Sequence, residues 1–125
     1  MANETAERDF LANTQAVKRF LVTNGFNETI DEVLDAVSIW IVKRAWHENV
    51  VFTEEYAEEE DKQKSHAVRS KLTYHIKKNY QKLRGNMQTN YGFAMYEEYA
   101  GIKNFIEQMA IVVRVFCKDF CGRTP

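Results

Sequence analysis

AMYEEYAGIKNFIEQMAIVVRVFCKDF, running from Ala94 to Phe120, is the most regular stretch of this chain. Met95, Tyr99, Ile102, Ile106, Met109, Val113, Phe116 and Phe120 follow one another at alternating spacings of four and three. An α-helix brings residues so spaced onto one side, as in a heptad seam. The spacing predicts a helix from about Ala94 to Phe120, closed by Gly122. Between Met109 and Cys117 its surface is apolar almost all round, with Arg114 the one charge.

The chain upstream also reads as helix. Its 125 residues make one domain able to bury a core, and its only proline is the terminal Pro125. Few prolines and glycines favour long helices over many strands. A first helix is predicted from about Glu4 to Thr23, capped by Asn3 and closed by Asn24-Gly25. Its apolar stripe is Phe10, Val17, Phe20 and Leu21. A second is predicted from about Glu28 to Glu48, with Asn27 as cap. It is apolar on two sides: Ile30, Val33, Leu34, Val37, Trp40, Ile41 and Ala45 make one face, and Ile39, Val42 and Trp46 a second. Such a helix is central or faces another chain. A third is predicted to begin at Thr53, after Val50-Val51-Phe52, and to stop at Gly85. A break is expected within Ala57–Ser65, where no apolar stripe is visible. The expected architecture is all-α: a single domain built as a four- to five-helix bundle, mostly antiparallel, with short connections.

Charge is sorted along the chain. Lys62 to Tyr96, 35 residues, holds no Asp or Glu and eight bases: Lys62, Lys64, Arg69, Lys71, Lys77, Lys78, Lys82 and Arg84. The remainder holds 18 acids against nine bases, so the net charge of −1 hides a dipole. At 100° per residue, Val68, Leu72, Ile76, Asn79 and Leu83 share the sector expected to face the core. Lys64, Lys71, Lys78 and Lys82 fall on one flank. Lys62, Arg69, Lys77 and Arg84 fall on the other. Gln63, Ser70, Tyr74 and Gln81 lie between them.

Clustered cations attract nucleic-acid phosphates through counterion release, and an exposed aromatic stacks on an unpaired base or lies against a sugar. Gly85-Asn86-Met87-Gln88-Thr89-Asn90-Tyr91-Gly92 reads as a loop whose amides, Asn86, Gln88 and Asn90, suit phosphates, sugars or base edges. The expected site is therefore Lys62, Lys64, Arg69, Lys71, Tyr74, Lys77, Lys78, Lys82, Arg84, Asn86, Gln88 and Asn90. A solvated face, or pairing with acids such as those of Glu54–Asp61, accounts for the same lysines without a ligand. Acids early and bases late in one helix also match the helix dipole. No signature of sequence-specific recognition is present.

Arg69 and His75 enclose five residues, a spacing that resembles the short arginine-to-histidine motif of helical HEPN ribonucleases. That resemblance implies a dimeric ribonuclease with both residues at a composite site. On a helical wheel the two positions stand about 120° apart, whereas one site needs converging side chains. Glu32 with Asp35 and Glu55 with Glu58 are carboxylate pairs at helical spacing. Facing pairs of this kind hold Mg²⁺ in all-α nucleotide pyrophosphatases, although the order of the pairs here departs from that family's. Acids in first helical turns are also expected from the dipole. His47, His66 and His75 have no metal-ligand spacing with a carboxylate, and glycine-rich phosphate loops are absent. No enzyme activity and no cofactor are expected. Cys117 and Cys121, four apart, read as buried reduced thiols.

The expectation from these features is a non-catalytic subunit that holds a nucleic-acid backbone within a nucleoprotein assembly. It would meet other subunits, or copies of itself, through apolar surface of the second or fourth helix. The small helical subunits of CRISPR effector complexes are similar in size and character, which is an architectural analogy. The alternative is a protein-interaction domain that docks on an acidic partner. The polar, acidic start and the lack of a membrane-length apolar run predict a cytoplasmic protein without membrane contact.

Overall fold

The computed structural model describes residues 2–46 and 62–121, with side chains for 9–46 and 69–121. Four helices follow in order: α1 (Ala2–Thr23), α2 (Asp31–Ala45), α3 (Lys62–Tyr91) and α4 (Ile102–Phe116). The described residues contain no strand, and the helices pack as an all-α bundle. Expectations for Val50–Phe52, Thr53, the break in Ala57–Ser65 and the Glu54–Asp61 run concern residues wholly or largely outside this description, whereas the helix expected to close at Gly122 already ends at Phe116, with Cys117 as its extended C-cap.

The α1–α2 hairpin is antiparallel: Lys18 Nζ meets Asp35 at 2.6 Å, and Phe10 packs on Trp46 at the far end. Its first half closes as expected at Asn24-Gly25. Phe26 N–H donates to the Leu21 carbonyl and Gly25 N–H to that of Val22, the paired bonds of a Schellman cap. Gly25 has φ +109°, and a β-carbon there would lie 2.8 Å from Asn86 Nδ2 and 2.9 Å from Lys82 Cγ. The position is reserved for glycine by conformation and by the close passage of α3.

Capping differs from expectation at two starts. Ala2 is already helical, so Asn3 lies inside α1. The N-cap of α2 is Ile30, with no side-chain cap bond, and the helix begins at Asp31 rather than Glu28. Asn27 and Glu28 are held by α3 instead, as described below.

Helix α2 is the centre of the bundle and touches all three others. Val33, Leu34, Ala36, Val37, Trp40, Ile41, Val42 and Ala45 are all buried. Most of the apolar surface on its two sides is therefore covered by its own chain, while Ile39 and Trp46 stay half-buried and Ile30 is exposed. Arg44 reaches Glu107 on α4 at 2.6 Å, and Glu32 pairs with Lys71 on α3 at 2.9 Å.

The fourth helix is shorter than its spacing suggests. Gly101, at φ +104°, is its N-cap, and its carbonyl accepts from Phe105 N–H. Met95 and Tyr99 precede the helix and Phe120 follows it, yet all three pack on the core. Residues 92–101 form a non-helical strap pinned by side chains. Tyr80 donates its hydroxyl to the Tyr96 carbonyl (2.8 Å), and Gln108 Oε1 accepts from Tyr96 N–H (3.0 Å). These bonds satisfy backbone groups that a helix would otherwise have paired.

Beyond α4, Asn13 grips Cys121 with both ends of its amide, donating to the carbonyl and accepting from the N–H at 2.9 Å each. Trp46 Nε1 donates to the same carbonyl. Cys117 is buried, whereas Cys121 is exposed, because this grip fixes its backbone and leaves the side chain outside. Neither cysteine is in a disulfide.

Candidate nucleic-acid interface

Helix α3 runs for 30 residues, about 45 Å at 1.5 Å per residue. Leu72, Ile76, Asn79 and Leu83 face the core, as the wheel predicts, joined by Tyr80 and Met87. Gly85 does not stop the helix. The buried stripe passes from Leu83 to Met87 across it, and a single exposed glycine costs a helix only about 1 kcal/mol. The end comes at Gly92, φ +68°, whose N–H donates to the Gln88 carbonyl. The expected loop of amides is thus the last part of α3.

This extension gives each amide a defined place. Asn86 Nδ2 donates to the Asn24 carbonyl (2.6 Å), and Asn90 Nδ2 donates to Asn24 Oδ1 (3.0 Å). Both fasten α3 to the end of α1. Asn79 does the same one level down, accepting from Glu28 N–H (2.9 Å) and donating to the Glu28 and His75 carbonyls. Gln88 is exposed on the other side of the helix.

The cations divide along the same line. On the flank beside the α1–α2 connection, Lys71 is paired with Glu32, and Lys82 Nζ donates to Asn27 Oδ1 at 3.1 Å. Lys78, nearer the crest, stands 6.0 Å over the Tyr74 ring. On the opposite flank, Lys77 stands 5.9 Å over the Tyr99 ring, Arg69 is exposed, and Arg84 donates to Gln81 Oε1 at 3.2 Å. The side chains of Lys62 and Lys64 lie outside the described residues. Of the six cations described on α3, only Lys71 meets a carboxylate among the described residues. The other contacts are to amides and ring faces, which leave the positive charge unneutralised.

Tyr74 occupies the crest of this face and is 61% exposed. Tyr99, beneath Lys77, is half-buried. Burial pushes its phenol up from the ordinary value, and the Arg69 charge pulls the other way. Beside the crest lies a cleft of about 300 Å³ lined by Gln81, Arg84, Gly85, Gln88, Thr89, Ala94 and Met95. Gln81 closes one side by donating to the Glu97 carbonyl at 2.7 Å. The cleft was not legible beforehand, because it exists only where the strap turns back against the unexpected last turns of α3.

The other candidate chemistries find no convergent geometry. Arg69 is exposed and lies close enough to Tyr99 for its charge to act there, beside the strap. His75 sits on the opposite flank, between Lys71 and Asn79, edge-on to Tyr74. The two do not meet within one chain. Glu32 and Asp35 are drawn apart into ion pairs with α3 and α1, and Glu55 and Glu58 lie outside the described residues. Among the described residues no helix is long and apolar enough to cross a membrane. No protein-family model, curated protein or solved structure matches the chain.

Proposed function

We propose that this protein binds the backbone of a nucleic acid along the outward face of α3, as a non-catalytic component of a nucleoprotein assembly. The supporting observation is the one sequence sorting alone does not supply: Arg69, Lys77, Lys78, Lys82 and Arg84 have no carboxylate partner among the described residues. A row of open cations from Arg69 to Arg84, about 22 Å of helix at 1.5 Å per residue, is a surface that phosphates neutralise with release of counterions. The contacting groups are Lys77, Lys78, Arg84 and Arg69, with Tyr74 against the strand. Lys71, Asn86 and Asn90 act in folding, since their polar groups are bonded to Glu32 and Asn24. Apolar surface open to a neighbouring subunit includes Ile111 and Val115, exposed one turn apart on α4, and Leu11 and Val22 on α1.

The test is fluorescence anisotropy with labelled DNA and RNA over a salt series. Four phosphate contacts on a single strand give a slope of log K against log salt of about −3. Lys77→Glu/Lys78→Glu should weaken binding by tenfold or more while circular dichroism stays unchanged. Absence of binding to every nucleic acid at low salt refutes the proposal. It would favour an acidic protein as the partner of this face.

A further inference from the structure

Two features of the α3 face are poorly used by a double helix. Tyr74 projects from the crest into solvent, with Lys78 over its ring and His75 packed edge-to-face beside it. The cleft at Gln81 and Gln88 opens seven residues further along, about 10 Å of helix rise. Its polar lining is Gln81, Arg84, Gln88 and Thr89, and its apolar lining is Ala94 and Met95, of which Met95 is buried. Gly85 contributes no side chain, and nothing stands within 4 Å of where its β-carbon would be. The floor is therefore open to a flat group lying against the helix backbone.

Arg84 is the one charged residue that lines the cleft, and Gln81 ties the cleft to the backbone of Glu97 on the strap. A planar group with donors and acceptors on its rim suits such a lining. It matches the donors of Arg84, both functions of Gln88 and the hydroxyl of Thr89. The volume, about 300 Å³, is at the small end of ligand sites and holds one nucleobase. Bases held inside a duplex offer neither a face to Tyr74 nor a whole rim to the cleft.

We infer that the protein selects single-stranded nucleic acid, stacking one unpaired base on Tyr74 and seating another in the Gln81–Gln88 cleft. The inference rests on the reading of α3 as a nucleic-acid surface and specifies its ligand. Lys77 and Lys78 hold the phosphates between the two bases.

The experiment compares a labelled single strand, its DNA or RNA counterpart, and the matching duplex by anisotropy at one salt concentration. Single strands of either sugar are expected to bind at least tenfold more tightly than duplex. Tyr74→Ala should lower single-strand affinity about tenfold, the size of one lost base stack, and leave duplex affinity unchanged. Tyr74→Phe should retain it. Gly85→Leu, which fills the cleft floor on an exposed helix face, should lower single-strand affinity alone. Duplex binding as tight as single-strand binding overturns this inference and leaves the proposed function standing. So does an equal loss on both forms in Tyr74→Ala. Failure of both forms to bind overturns the two together.

Discussion

At the residue scale, buried asparagines do work that the sequence pattern hides. Asn79 is fully buried in the sector assigned to the core, where an apolar residue would have fitted the stripe equally well. Its amide instead pairs with the N–H and carbonyl of Glu28, holding the α1–α2 connection against α3. Asn79→Leu leaves those backbone groups without their partner. It should cost about 2 kcal/mol in urea denaturation, despite the added apolar volume. Gly25 makes the opposite point. Gly25→Ala puts a β-carbon on a left-handed backbone and against Lys82, and a loss of about 1–2 kcal/mol is expected. Two titrating groups add a pH dependence. Burial raises the Cys117 thiol and the Tyr99 phenol above their ordinary values of 9.0 and 10.0. Above those values the unfolded chain binds fewer protons than the folded one, so stability falls as pH rises. The decline should begin near pH 9, through Cys117, and steepen above 10 through Tyr99. Tyr99→Phe should flatten the steeper part, read from denaturant midpoints across the alkaline range.

At the element scale, α3 is the informative case. Its glycine at 85 has no steric role: the position is exposed, helical and open. Gly85→Ala should therefore stabilise the protein by about 0.5–1 kcal/mol through reduced backbone freedom of the unfolded chain. A shift of the urea midpoint to lower concentration would instead mean that the helix stops there. Helix α4 shows the reverse. Gly101 interrupts an apolar spacing that runs unbroken from Met95 to Phe120, because its φ of +104° lies outside any helix. The strap before it keeps its inward residues inward through Tyr80 and Gln108, so the periodicity survives without the helix.

At the scale of the whole molecule, three ion pairs among the described residues join different helix pairs: α1 to α2, α2 to α4, and α3 to α2. Each is at least partly exposed and contributes at most about 1 kcal/mol. Their arrangement matters more for charge than for stability. The pairs draw acids of α2 towards α1 and α3, and one acid of α4 towards α2. The outward face of α3 keeps its cations. High salt should then weaken nucleic-acid binding steeply while barely changing the unfolding midpoint, since little of the fold depends on exposed charge. Parallel salt series of binding and of urea unfolding separate the two effects.

The amino-acid order by itself determined the all-α class, the two apolar sides of α2, the inward sector Leu72–Ile76–Leu83 and the sorting of charge. Each of these follows from periodicity or composition, which act locally along a chain. It also placed Tyr74 outward, where the structure has it. Only the tertiary structure decided that Asn86 and Asn90 bind Asn24, that Lys71 is neutralised by Glu32, and that a cleft forms where the strap meets α3. Those outcomes depend on which distant backbone groups need hydrogen-bond partners after packing, and the spacing of residues along one helix contains no record of that need.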